Sequence, residues 1–179
     1  SMLGQGKSPM QAEIDCPCEA IDFLRFYSFF ASQLYCQQPL SDHTMLNRLE
    51  YRGMEGFVYA ITPFNFTSIA LNLNVAPALM GNVTIWKPST TSLLSNYYLM
   101  KLLQEAGLPD GVINFLPGSG SVISDVAFKS PHLAGIHFTG STATFKKFWK
   151  LIGENIDIYN TYPKIVGETG GKDFIFAHH

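Results

Sequence analysis

From residue 56 onward, short apolar runs alternate with segments of helical length. The runs are 56–61 (GFVYAI), 82–86 (NVTIW), 112–116 (VINFL), 135–138 (GIHF) and 163–167 (PKIVG), with a sixth at 173–176 (DFIF). Most are closed by Pro, Gly or small polar residues, as in Thr62-Pro63, Lys87-Pro88, Pro117-Gly118 and Thr139-Gly140. Between them lie stretches long enough for helices, at 66–81, 90–106, 119–129 and 142–156. Apolar runs of strand length bounded by turn residues, with a helix between each pair, predict βαβ units and a parallel sheet flanked by helices. In open sheets of this class, ligands sit beyond the carboxyl ends of the strands. The polar residues of interest lie there.

The first 55 residues have a different rhythm. Ile14, Ile21, Leu24, Phe26, Phe29, Phe30 and Leu34 fall at helical spacing, and Pro17 marks either a kink or a helix start. Residues 37–55 are polar and punctuated by Gly and Pro, which predicts a connection with a short edge strand. The expected division is a helical segment and connection at 1–55, then an α/β domain at 56–179.

Composition narrows the function classes. The chain has 179 residues, 46% hydrophobic and 15% charged, enough for one good core and unlike a disordered chain. A net charge of −2 gives no electrostatic case for binding nucleic acid or an anionic membrane. No apolar run approaches the roughly 18 residues that span a bilayer. Residues 1–15 carry neither a secretory apolar region nor an Arg-rich transit pattern. Cys16, Cys18 and Cys36 are an odd set crowded near the start, which suits free thiols in a reducing compartment better than a disulfide framework. The lone Cys16-Pro17-Cys18 has no second ligand pair, so no metal site is expected.

Several turns carry candidate chemistry. Pro117-Gly118-Ser119-Gly120 opens a helix after a strand, where glycines let backbone approach a pyrophosphate and the helix start offers N–H donors. Phe138-Thr139-Gly140-Ser141 repeats the arrangement, with Ser141 equally suited to be a plain N-cap. Lys87, followed by Pro88-Ser89, stands at a strand end where its ammonium can donate to ribose hydroxyls; the plain alternative is a solvated strand terminus. Asn65, after Pro63-Phe64, has a neutral amide able to donate to a developing oxyanion, or is an ordinary turn residue. Glu168, before Gly170-Gly171, can activate water if partly desolvated. His132 and His137 lack partner patterns and read as structural.

Taken together, PFNF (63–66), KPS (87–89), GLP (107–109), the PGSG turn, FTGS (138–141) and ETGGK (168–172) resemble the aldehyde dehydrogenase superfamily in order and spacing. The opening GQGKSPMQAEID, with PFNFTSIALNL and the stretch 74–82, is similar to the pyrroline-5-carboxylate dehydrogenase branch, whose members oxidise glutamate semialdehyde in proline breakdown. The resemblance implies a Rossmann-like NAD-binding domain at 56–179. It implies an NAD cofactor, with NADP not excluded, lined by Ile61, Thr62, Pro63, Phe64, Lys87, Ser89, Gly120, Phe138, Thr139, Gly140 and Ser141. It further implies that a cysteine thiolate attacks the aldehyde, that Asn65 donates to the oxyanion, and that Glu168 activates the hydrolytic water. A mitochondrial matrix location follows from the resemblance alone.

Two departures shape the expectation. The family's nucleophilic cysteine lies downstream of ETGGK, whereas all three cysteines here precede Asn65. The expectation is therefore a cofactor-binding portion without its catalytic domain and inactive by itself. The alternative is a non-enzymatic fragment that associates with full-length subunits. The position four residues after Gly120, often glycine, is Ser124, which puts close pyrophosphate packing in question.

Overall fold

The computed structural model describes residues 1–171 and 174–178. Strands β1 (Phe57–Ile61), β2 (Val83–Lys87), β3 (Ile113–Phe115), β4 (Leu133–Gly140) and β5 (Lys164–Thr169) form one sheet in the order β3-β2-β1-β4-β5, with every pairing parallel. Helices α4 (Thr67–Leu79), α5 (Leu93–Glu105), α6 (Gly120–Ala127) and α7 (Thr142–Glu154) connect the strands. The first five of the six expected strands and the four expected helices are present, within a few residues of their predicted bounds. The order reverses between β1 and β4, which places a topological switch point at their carboxyl ends.

Two cores cover the two faces. On one face Tyr59, Ile61, Leu133, Ile136 and Phe138 meet Phe128, Phe148 and Ile152 from the α6–α7 side. On the other, Trp86 and Ile113 meet Ala70, Leu71 and Val75 of α4 and Leu99 of α5. Neighbouring strand residues divide between the faces because side chains alternate along a strand. Helix α7 is amphipathic and buries only Phe148 and Ile152 fully, whereas α4 is apolar nearly all round. Its second face is covered by α3 (Glu19–Tyr35), whose Ala20 belongs to the same core. A helix apolar on every side has to be enclosed, and here the sheet and α3 enclose it.

Pro17 neither starts a helix nor stops one. Helix α2 (Pro9–Glu13) runs into α3 through a π-helical turn at Ile14–Cys18 that contains the proline. The widened turn tolerates the absence of an N–H at Pro17, which an α-helical ladder would miss. Ahead of it, Ser8 caps α2 reciprocally with Gln11. The short α1 (Met2–Gln5) docks on the start of α4, where Ser1 Oγ and Gln5 Nε2 both reach Thr67 Oγ1 at 2.9 Å.

Two expectations fail here. Residues 37–55 contain no strand; they make an exposed excursion turned by Asp42, whose carboxylate accepts from the Thr44 and Met45 amides. Side-chain bonds between Gln38 and the Leu49 backbone tie its two limbs, in place of a backbone ladder. The sixth apolar run also forms no strand over 174–176, where Phe174, Ile175 and Phe176 are exposed, and Asp173 lies outside the described residues. Lys172 of the ETGGK motif lies outside them too.

Candidate functional site

The register aligns the carboxyl ends of β1, β4 and β5. Ile61 pairs with Phe138, Phe138 pairs with Gly167, and Thr139 pairs with Glu168. Beyond Ile61 the chain turns through Thr62-Pro63-Phe64-Asn65 into α4. Asn65, in the turn beyond β1, and Glu168, near the end of β5, are therefore displayed at the same carboxyl end of the sheet, with β4 between their strands. Both side chains are exposed. Glu168 is exposed because β5 is an edge strand with few residues packed over its end. Gly170 follows at φ 67°, a left-handed turn that lets the chain leave the sheet.

A cleft of about 790 Å³ opens beside this edge, between α6 and α7. Its inner end is formed by Ile61, Lys87 and Gly120, three residues singled out from separate motifs. Its walls come from Val122 and Ser124 of α6 and Lys147 and Leu151 of α7. Apart from Ser124, no motif marks the wall residues. Their only signal in the sequence is the amphipathic spacing of the two helices.

Lys87 is half-buried at the end of β2, and burial pulls its ammonium below the usual lysine range. It makes no ion pair or side-chain hydrogen bond among the described residues. Its Nζ lies 3.4 Å from where a Cβ on Gly120 would stand. A Cβ there would only touch the ammonium, and the bare glycine leaves the first α6 amides open beside it.

The other candidate residues divide into two groups. Thr62 is buried, with its hydroxyl accepting from the Trp86 indole N–H at 3.0 Å, and its amide donates to the Lys87 carbonyl. It ties the ends of β1 and β2 together and is not among the residues that line the cleft. Phe138 is only 4% exposed, stacked on Phe145 and set edge-on to Phe148. Its ring is core, so only its backbone is available to a ligand. Pro63 is buried, Thr139 is partly buried, and Phe64 is exposed at the turn. Ser141 accepts from the Thr144 amide and caps α7, as its plain reading has it. Ser89 bonds Thr91 Oγ1 at 3.0 Å next to Lys87 in sequence. Gly140 owes its small size to a neighbour, since a Cβ there would meet the Phe138 ring at 2.6 Å.

Ser124 shows what replaces the missing glycine. Its Oγ lies 3.0 Å from the hydroxyl of Tyr59, which is fully buried on β1. A large strand residue and a polar helix residue thus meet by a hydrogen bond where glycine would give direct contact. Burial pushes the Tyr59 phenol up, an effect partly offset by Ser124. His137, on the opposite face, bonds the Leu73 carbonyl through Nδ1 at 3.0 Å, and burial holds it below the usual histidine range. Cys16, Cys18 and Cys36 are free thiols on the N-terminal helices, and none lines the cleft.

The donor set suits a dinucleotide. It offers a cation, backbone amides at a helix start, apolar walls that can take a flat ring, and a place at the switch point of a parallel sheet.

Comparison with known proteins agrees with this geometry. The sequence profile described as "Aldehyde dehydrogenase family" matches residues 1–179. The "Probable delta-1-pyrroline-5-carboxylate dehydrogenase" of Schizosaccharomyces pombe is 56% identical over 181 residues, covering 99% of this chain and 33% of the relative. The human "Delta-1-pyrroline-5-carboxylate dehydrogenase, mitochondrial" is 52% identical, covering 99% of this chain and 32% of its own length. Among solved structures, the Mycobacterium tuberculosis delta-pyrroline-5-carboxylate dehydrogenase bound with NAD superposes with a TM-score of 0.94 at 62% identity, over 96% of this chain and 32% of that one. The chain thus spans about a third of the length of the relatives it matches. The match runs over the whole chain, and with it the chain belongs to the aldehyde dehydrogenase family.

Proposed function

We propose that this chain is the cofactor-binding portion of an NAD-dependent aldehyde dehydrogenase that oxidises glutamate semialdehyde to glutamate, the pyrroline-5-carboxylate dehydrogenase reaction. The observation that carries the reading is the convergence of Ile61, Lys87 and Gly120 on one cleft at the switch point. The names of the relatives support the substrate and the cofactor, and mitochondrial relatives support a matrix location.

Bound NAD supplies the hydride acceptor. Lys87 would hold the ribose through its ammonium, the first amides of α6 would hold the pyrophosphate, and Val122 and Leu151 would offer apolar walls to a flat ring. Asn65, exposed beyond β1, donates its amide N–H to the oxyanion that forms on the aldehyde carbon, which is worth about 3 kcal/mol for donors of this kind. Glu168, exposed near the end of β5, accepts a proton from the water whose attack releases the acid. The thiolate that the reaction needs is not Cys16, Cys18 or Cys36, since these stand on the N-terminal helices away from the cleft. The 179-residue chain is therefore expected to bind cofactor without turning over aldehyde.

Titration with NAD under thermal denaturation tests this reading. Ligand at about 100 times its dissociation constant adds about 2.7 kcal/mol, a rise of roughly 5–10 °C for a chain of this size. Val122→Glu places a carboxylate in the exposed first turn of α6, where it costs the helix nothing, and should abolish the shift. A cooperatively melting protein with no saturable shift would sink the proposal.

A second reading is favoured by the outer face of α3. Phe26, Phe29, Phe30 and Leu34 are exposed there, with Phe30 packed against both Phe26 and Phe29. Contiguous exposed apolar side chains of this kind favour association with another protein surface, here full-length subunits of the same enzyme. Light scattering of the chain mixed with a full-length relative separates the readings, because a strictly monomeric chain that forms no complex leaves only the first.

A further inference from the structure

We infer that residues 1–19 clamp the turn that presents Asn65, with Lys7 and Asp15 as positioning residues for it. The inference rests on the reading of Asn65 as the oxyanion donor and deepens it, by assigning the groups that hold that donor in place to the N-terminal helices.

Nothing in the Asn65 side chain fixes its own position. It is exposed and makes no hydrogen bond among the described residues. The next residue, Phe66, is the N-cap of α4, with an extended backbone and no side-chain cap bond. The first amides of a helix have no partner inside it, so a start without a cap is prone to fray. Three consecutive residues there are nonetheless each held by a side chain from residues 1–19. The Lys7 ammonium lies 4.2 Å from the centre of the Phe66 ring. Gln5 Nε2 donates to the Thr67 hydroxyl at 2.9 Å, and the Ser68 hydroxyl donates to the Glu19 carboxylate. Thr67 and Ser68 are 2% and 0% exposed, so water does not compete for these bonds.

Lys7 is itself fixed. Gly6, at φ 64°, ends α1 in a left-handed turn, and Lys7 follows in the short link to α2. Its ammonium pairs with Asp15 at 2.6 Å, and the two side chains are only 13% and 18% exposed. Asp15 stands in the π-helical turn Ile14–Cys18. A pair so shielded is weakly screened by salt, and the carboxylate keeps the ammonium from swinging out to water. A cation over an aromatic face is attracted by the ring, more strongly when both are desolvated. The Phe66 ring thus has one face closed by a fixed charge, which restricts the side chain and, through its backbone, the peptide that joins it to Asn65. The consequence for chemistry is large, since a displacement of about 1 Å in a reacting geometry can cost roughly 100-fold in rate. An ion pair that only stapled the α1–α2 link to the π turn would stabilise the fold without ordering Asn65.

The test reads that order directly, on the 179-residue chain without cofactor. Amide order parameters are measured by ¹⁵N relaxation for the parent, for Lys7→Arg, and for Lys7→Met combined with Asp15→Asn. The combined change removes both charges together and leaves neither unpaired in a shielded site. Circular dichroism checks that each variant is folded. In the parent, Asn65 and Phe66 should be rigid, with order parameters of about 0.85. In the double variant they should fall below about 0.6 while β1 and the middle of α4 stay rigid. Lys7→Arg keeps the cation and should keep the order. Phe66→Leu removes the aromatic face and leaves the ion pair; it should loosen Asn65 in the same way, and it carries the test by itself should the double variant fail to fold.

Unchanged order at Asn65 in the folded double variant, or in Phe66→Leu, overturns the inference. So does a uniform loss across α4 and β1, which is the signature of a staple for the whole fold. A parent chain in which Asn65 is already mobile overturns it as well. Selective loosening supports the clamp whether or not NAD raises the melting temperature of the same samples, and a missing NAD shift fails the cofactor reading alone.

Discussion

Gly140→Ala isolates the reason for one glycine of the FTGS motif. Two physical accounts compete: a ligand approaches the backbone there, or a neighbouring side chain does. The structure favours the second, since a Cβ would lie 2.6 Å from Phe138 Cζ and 3.1 Å from Cε2. Relief to ordinary contact needs a displacement of about 1 Å. Phe138 cannot move that far freely, because its ring is stacked 5.6 Å from Phe145 and packed 5.1 Å from Phe148, with only 4% of its surface exposed. Forcing one extra methyl into a filled core costs about 1–3 kcal/mol. For a chain of this length that lowers Tm by roughly 2–12 °C. Differential scanning calorimetry reads the loss directly. The rescue is Phe138→Leu in the Gly140→Ala background: it shortens the group that clashes, so the double variant should be more stable than the sum of the two single changes implies, by at least about 1 kcal/mol. An unchanged Tm for Gly140→Ala, accompanied by weakened NAD binding, would refute the argument and assign the glycine to the ligand.

Thr62→Val leaves the buried Trp86 indole N–H without an acceptor and should cost about 1–3 kcal/mol by chemical denaturation, while Thr62→Ser, which keeps the oxygen, should cost much less. Ser124→Gly installs the residue common at that helix position but leaves the buried Tyr59 hydroxyl unpaired; a loss of about 2–4 kcal/mol is expected, with Ser124→Ala separating the hydrogen bond from the roughly 1 kcal/mol helix cost of glycine. His137 has a folded pKa below its unfolded value of about 6.5, so the unfolded chain takes up a proton first as pH falls; stability is undiminished above that pH and is lost as pH drops from about 6.5 toward the folded pKa, by at most about 1.4 kcal/mol per pH unit. Urea midpoints at pH 7 and pH 5 should therefore converge in His137→Gln relative to the parent chain, and an identical pH dependence in both would exclude His137 as the source.

The alternation of elements was legible from local pattern alone. Strand runs such as GFVYAI and VINFL are short, apolar and closed by Pro or Gly, and the segments between them have helical length, so existence and order followed from period and punctuation. The same reading overreached where an apolar run had no neighbour to pair with: 173–176 has strand composition, yet over 174–176 no strand forms, because a strand needs a ladder partner as well as a pattern. Pro17 was legible as a disturbance but not as a π turn, since the widening is a property of the whole continuous helix. The helical length of 66–81 did not say that α3 covers the second face of α4.

The chemistry of the site divides along the same line. Which groups are available, among them a lysine at the end of a strand run, amides at a glycine-opened helix and a carboxylate before Gly170-Gly171, is written in residue types and turn positions and is visible in the chain by itself. Which of them face a ligand was decided only by tertiary packing. Phe138 and Thr62 belong to the same motifs as accessible residues, yet one is absorbed by the aromatic core and the other by the Trp86 indole. Val122, Lys147 and Leu151, which no motif marks, become cleft walls because α6 and α7 lie side by side on one face of the sheet. A sequence specifies side chains and local dihedral preferences, whereas exposure and proximity depend on contacts between residues far apart in the chain, and these exist only once the sheet has closed its two cores.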